Sequence, residues 1–121
     1  MGIVFVCLII AIAGLSVWHY RHHSSTVATL ASREAVINIT PSGFVPATLN
    51  VKLGTVVVWQ NQDSATHKVA SNPYPLDNSV PGLNSGIILP NGSYQYKPTA
   101  ATIYYHDDTK PTLNGTIVVS K

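Results

Sequence analysis

From Ala35 onward the chain is built of short runs rich in Val, Ile, Thr and Tyr, punctuated by Pro, Gly and Asn. Such runs predict β-strands at Ala35–Thr40, Thr48–Leu53, Thr55–Asn61, Lys68–Ser71, Gly86–Leu89, Ser93–Lys97, Ile103–His106 and Thr116–Ser120. Strand side chains alternate between faces, so Val57 and Trp59 share one face while Val56 and Val58 share the other. Gly54 and Asn91-Gly92 supply turns that need permissive backbone angles. Residues Asn72 to Ser85 hold Pro73, Pro75, Pro81 and Gly82, which predicts a long irregular loop. The pattern as a whole is that of an all-β, small antiparallel sandwich or barrel.

Upstream the pattern changes twice. Gly2 to Trp18 carries no charge and is nearly all apolar. As a helix this run would be about 25 Å long, at the lower edge of a bilayer core. Trp18 and Tyr20 stand where interfacial aromatics belong, and polar sequence follows. Residues 1–20 therefore read as a single-pass membrane anchor, 21–34 as a polar linker, and 35–121 as the folded domain. The alternative for the first segment is a signal peptide cleaved at Ala11-Ile12-Ala13. The anchor is preferred because no Lys or Arg precedes the apolar run, which continues past that site. Arg21, beyond the run, pulls weakly against an extracytoplasmic domain.

Composition narrows the function. Charged residues make up only 10% of the chain and the formal net charge is +2, with no basic cluster of the kind that binds nucleic acid. The single cysteine, Cys7, excludes an intrachain disulfide, so the fold rests on its apolar core. No nucleophile elbow, phosphate-binding Gly-rich loop or His-Glu-x-x-His motif is present, so no enzyme is expected.

Two stretches carry a family resemblance. Residues Gly43 to Asp63 (GFVPATLNVKLGTVVVWQNQD), followed by Thr66-His67-Lys68-Val69 and Ile88-Leu89-Pro90-Asn91-Gly92-Ser93, resemble the first half of a cupredoxin, the plastocyanin- and azurin-like blue-copper family. Tyr104 to Val119 resembles its last loop and strand, which commonly reads Tyr-x-Cys-x-x-His-Pro-x-Met before a Gly. Against that loop Asp107 stands at the Cys position, Lys110 at the His and Leu113 at the Met. The resemblance implies a Greek-key β-sandwich over Ala35 to Lys121, with His67 at the place of the first histidine ligand. A subgroup of cupredoxin-like domains with Tyr-His-Asp-His in place of the Cys loop is also similar. Asp108 and Tyr74 stand where such members carry two further histidines.

The residue inventory then limits the metal chemistry. A blue-copper centre needs a thiolate, two imidazoles and a long axial thioether. The only thiol is Cys7 and the only methionine Met1, which excludes that centre for the monomer. The resemblance implies a nitrogen–oxygen site in its place: His67 and Asp107 facing each other, completed by Asp108, His106 or water, suited to Cu(II) or Zn(II). His106, one residue off, is expected to point outward as an exposed strand residue. The competing expectation is that Asp107 simply hydrogen-bonds His67 without metal and raises its pKa. Two functions follow. One is a membrane-anchored domain binding copper at a non-blue site, for copper handling or electron transfer with a redox or membrane-protein partner. The other is a metal-free interaction or accessory module of a membrane complex, docking around Tyr74, Pro81 and Pro111.

Overall fold

The computed structural model describes residues 33–121, so the anchor expected at 1–20 lies outside the described residues. Among the described residues no helix is long and apolar enough to cross a membrane. Eight strands follow in order: β1 Glu34–Thr40, β2 Gly43–Val45, β3 Thr48–Lys52, β4 Val56–Asn61, β5 Val69–Ser71, β6 Ser93–Tyr96, β7 Thr102–Asp107 and β8 Lys110–Ser120. They form two four-stranded sheets in the orders β2-β1-β4-β6 and β3-β8-β7-β5.

The core follows from alternation. Ile37 and Ile39 of β1, Val57 and Trp59 of β4, Ile103 and Tyr105 of β7 and Ile117 of β8 are fully buried, while Val36 and Tyr104, each next to one of them, face out. Aromatic rings tie the sheets together. Tyr105 meets Phe44 edge-on at 4.8 Å and Trp59 at 5.3 Å, arrangements that aromatic quadrupoles favour. Beneath Tyr105 the backbone must be bare, because a Cβ at Gly115 would lie 2.2 Å from the phenol Cζ and Oη.

Three expectations need correction. The sandwich is not purely antiparallel: β1 runs parallel to β4, and β3 parallel to β8. The chain leaves the first sheet after β2 and joins the second as β3, then returns as β4, so β2, β3 and β4 are not paired with one another. Gly86–Leu89 is not a strand. Only Ile88 bridges to His67, because Gly86 turns left-handed (φ 64°) on one side and Pro90, which lacks an N–H, follows on the other. Gly43–Val45, not among the predicted strands, pairs with the end of β1 around Pro41-Ser42.

The last strand also starts earlier than Thr116. Asp107 pairs with Lys110 while His106 pairs with Asn114, so Pro111, Thr112 and Leu113 bulge opposite one peptide of β7. A proline fits there because bulged residues leave the hydrogen-bond ladder.

Gly115→Ala is expected to destabilise the domain by at least about 2 kcal/mol in urea unfolding, through overpacking against Tyr105. Wild-type stability would mean that the phenol can shift aside.

Candidate functional site

Two inward rows of side chains end in polar residues at the same end of the sandwich. Val57 and Trp59 lead to Asn61, and Ile103 and Tyr105 lead to Asp107; both polar residues are fully buried. Asn61 Nδ2 donates to the carbonyls of Ala65 (2.8 Å) and Ile88 (3.1 Å), and its Oδ1 accepts from the N–H of Asp63 (2.9 Å). It thereby bends the segment that carries Asp63 back toward His67.

His67 is held between two carboxylates. Its Nδ1 meets Asp107 Oδ2, and its Nε2 meets Asp63 Oδ2 at 2.8 Å. Burial pulls the His67 pKa down, but the Asp107 and Asp63 carboxylates outweigh it and hold the ring above its ordinary 6.5. The Asp63 carboxyl is lowered in turn, chiefly by that hydrogen bond. The two nitrogens lie on opposite edges of the ring, so the two carboxylates cannot converge with one nitrogen on a single ion. Asp107 is committed further: its Oδ1 accepts from Thr109 Oγ1 (2.7 Å), the Thr109 N–H (2.9 Å) and the Lys68 N–H (3.3 Å).

His106 lies on the other face of β7, as alternation requires, yet it is 1% exposed. The expectation of an exposed residue fails because the Asn72–Val80 segment folds over that face. Asn72 N donates to the Tyr104 carbonyl (3.0 Å), and Ser79 N to the Asn72 carbonyl (3.0 Å). The Tyr74 ring stands edge-on to His106 at 5.6 Å. His106 Nδ1 is 2.7 Å from Asn72 Oδ1, which fixes Nδ1 as a donor. Its Nε2 faces Asp77 Oδ1 at 3.0 Å and Asp108 Oδ1 at 3.3 Å. Asp108 Oδ1 lies in hydrogen-bonding geometry to Nε2, whereas Asp77 Oδ1 lies off the direction of that ring nitrogen and is buried without a hydrogen-bond partner among the described residues. Asp77 reaches this place by adopting a left-handed backbone (φ 52°), a conformation Asp tolerates better than most residues. Lys68 Nζ, 2.9 Å from Asp108 Oδ2, lowers the Asp108 carboxyl and is itself raised.

No family model matches this sequence, and no curated protein does. Solved structures do. A novel purple cupredoxin from Nitrosopumilus maritimus superposes with a TM-score of 0.62 at 23% identity, covering 71% of this chain and 99% of that one. An oxidized single-residue mutant of amicyanin gives 0.61 at 27% identity, covering 70% of this chain and 80% of that one. A reduced amicyanin mutant gives 0.62 at 24%, covering 77% and 88%. The domain is cupredoxin-like.

Within this cupredoxin-like frame the four residues singled out from the sequence fall into two groups. His67 and Asp107 meet on the inner face, and His106 and Asp108 meet on the outer one. Asp77, His106 and Asp108 each offer one ligand atom, all within 4.8 Å of one another, and they are the one such group among the described residues. Bonds of about 2.0 Å to a tetrahedral ion put donor atoms about 3.3 Å apart, which the His106–Asp108 and His106–Asp77 separations approach. A thiolate is absent from residues 33–121 altogether, so the donor set fits a nitrogen–oxygen ion and not a blue-copper one. Sequence reasoning missed Asp63, Asp77, Asn72 and Lys68 as partners. The i, i+4 spacing of Asp63 and His67 was the one signal available, and it acts only through the turn that Asn61 builds.

The His67 clamp gives a pH signature. A folded-state pKa raised above 6.5 contributes stability that is fully present below 6.5 and lost as pH rises through the folded value. Thermal melts are therefore expected to show a falling Tm above pH 6.5, with the fall reduced in Asp63→Asn and abolished in His67→Gln. An identical slope in all three proteins would assign the pH dependence to other groups.

Proposed function

We propose that this cupredoxin-like domain binds copper as Cu(II), through Asp77, His106 and Asp108, in copper handling or electron transfer. The observation that carries the reading is Asp77 Oδ1, a buried carboxylate oxygen 3.0 Å from His106 Nε2 that has no hydrogen-bond partner among the described residues. Such an oxygen is costly to bury unless a cation or donor meets it. The Asn72 contact supports the same reading, since holding the proton on Nδ1 leaves Nε2 as the ligand atom, as in many metal sites. Bound copper would supply one-electron chemistry. The oxygen-rich set favours Cu(II) over Cu(I), and therefore a lower reduction potential than thiolate sites have. On this reading His67 and Asp107 are a strut, not ligands. The apolar run Gly2–Trp18 supports a membrane tether; the proposal places the domain outside the cytoplasm, near a redox or membrane-protein partner, against the weak pull of Arg21.

A second reading, a metal-free interaction module, is favoured by the exposed side chains of Tyr74 (54%) and Leu76 (66%) beside the same group.

A Cu(II) titration followed by electron paramagnetic resonance separates the two. The full chain is used with His19→Gln, His22→Gln and His23→Gln, which remove histidines outside the domain. One equivalent is expected to bind, with affinity falling at least about tenfold in His106→Gln and in Asp77→Asn, which tolerates the same backbone. His67→Gln should retain it. Binding unchanged by the first two substitutions would move copper elsewhere, and absence of stoichiometric binding would leave the interaction module.

A further inference from the structure

We infer that Lys68 determines which cations the Asp77–His106–Asp108 group accepts, an inference that rests on the metal-binding reading above. Asp108 is shared. Its Oδ1 faces His106 Nε2 at 3.3 Å while its Oδ2 is 2.9 Å from Lys68 Nζ. The pair is not a loose surface contact. The Asp108 N–H donates to the Lys68 carbonyl at 2.7 Å, and the Lys68 N–H donates to Asp107 Oδ1 at 3.3 Å. Both backbones are thus fixed at the junction where β5 meets β7, and the side chains are only 28% and 18% exposed.

Two consequences follow for an ion. With Oδ2 committed to the ammonium, Asp108 offers a single oxygen and cannot chelate in bidentate fashion. The ammonium also offsets one of the two carboxylate charges around His106. Oxygen-seeking cations draw their affinity from the number of oxygens and the total carboxylate charge, so they lose on both counts. Cu(II) draws much of its affinity from the imidazole nitrogen and loses only the charge contribution. Lys68 is a specificity-determining residue that touches Asp108 and acts through it.

The test compares Cu(II) with Mn(II), an oxygen-preferring ion read by loss of its free-ion resonance signal. Both are titrated into the full chain carrying His19→Gln, His22→Gln and His23→Gln, and into the same protein with Lys68→Met or Lys68→Arg. Urea midpoints check that each variant is folded. Lys68→Met is expected to tighten Cu(II) roughly tenfold through charge and Mn(II) roughly a hundredfold through charge and the freed oxygen. The preference for Cu(II) then falls about tenfold, while Lys68→Arg keeps the wild-type preference. Equal tightening of both ions would overturn the inference, because Lys68 would then act by charge alone; so would no change in either. Failure of the Lys68-containing protein to bind Cu(II) would instead remove the metal site itself, and this inference with it.

Discussion

Asp107 is a carboxylate with no exposure to water, and a buried charge survives only when its lone pairs are filled. Four donors fill them: His67 Nδ1 on one oxygen, and the Lys68 N–H, Thr109 N–H and Thr109 Oγ1 on the other. Each of these contacts shapes something. The Thr109 pair closes the turn between β7 and β8, and the Lys68 contact holds the entry to β5 against the end of β7. The His67 contact brings in the Asp63 segment that Asn61 has already bent. Removing the carboxylate would leave a half-clamped imidazole and an unanchored turn together, so the end of the sandwich behaves as one unit.

That unit also fixes the outer face. With Asp107 pointing in, its neighbour His106 must point out, and Asp108 begins the turn beside it. The two histidines are then separated by the sheet itself. On the inner side two carboxylates grip both nitrogens of His67, a proton-stabilised strut. On the outer side Nδ1 of His106 is held by an amide oxygen, and two carboxylates crowd the other nitrogen. The same residue types give two different chemistries because in one the carboxylates sit on opposite ring edges and in the other on the same edge.

The sequence made parts of this legible. Alternation along β4 was enough to put Val57 and Trp59 on one face, though not to mark that face as the core, and the cupredoxin frame was enough to set His67 opposite Asp107. What it could not convey was tertiary covering. Alternation turned His106 outward, but outward meant under the Asn72–Val80 segment, whose prolines announced only an irregular loop. Asp77 was invisible for the same reason, since its role depends on a left-handed backbone and a fold-back that no local pattern encodes. The parallel pairing of β1 with β4 was hidden because short runs with turns between them read as consecutive hairpins, whereas the chain changes sheets after β2.

The crossing between sheets has a consequence for the order in which the domain is made. β3, complete by Lys52, finds its ladder partner only in β8, which ends at Ser120. A ribosome must therefore deliver nearly the entire domain before the second sheet can close. Until then β3 is an unpaired strand with an open edge, a hazard for association with other chains. The second sheet is thus completed last, and the final strand acts as its closing stitch.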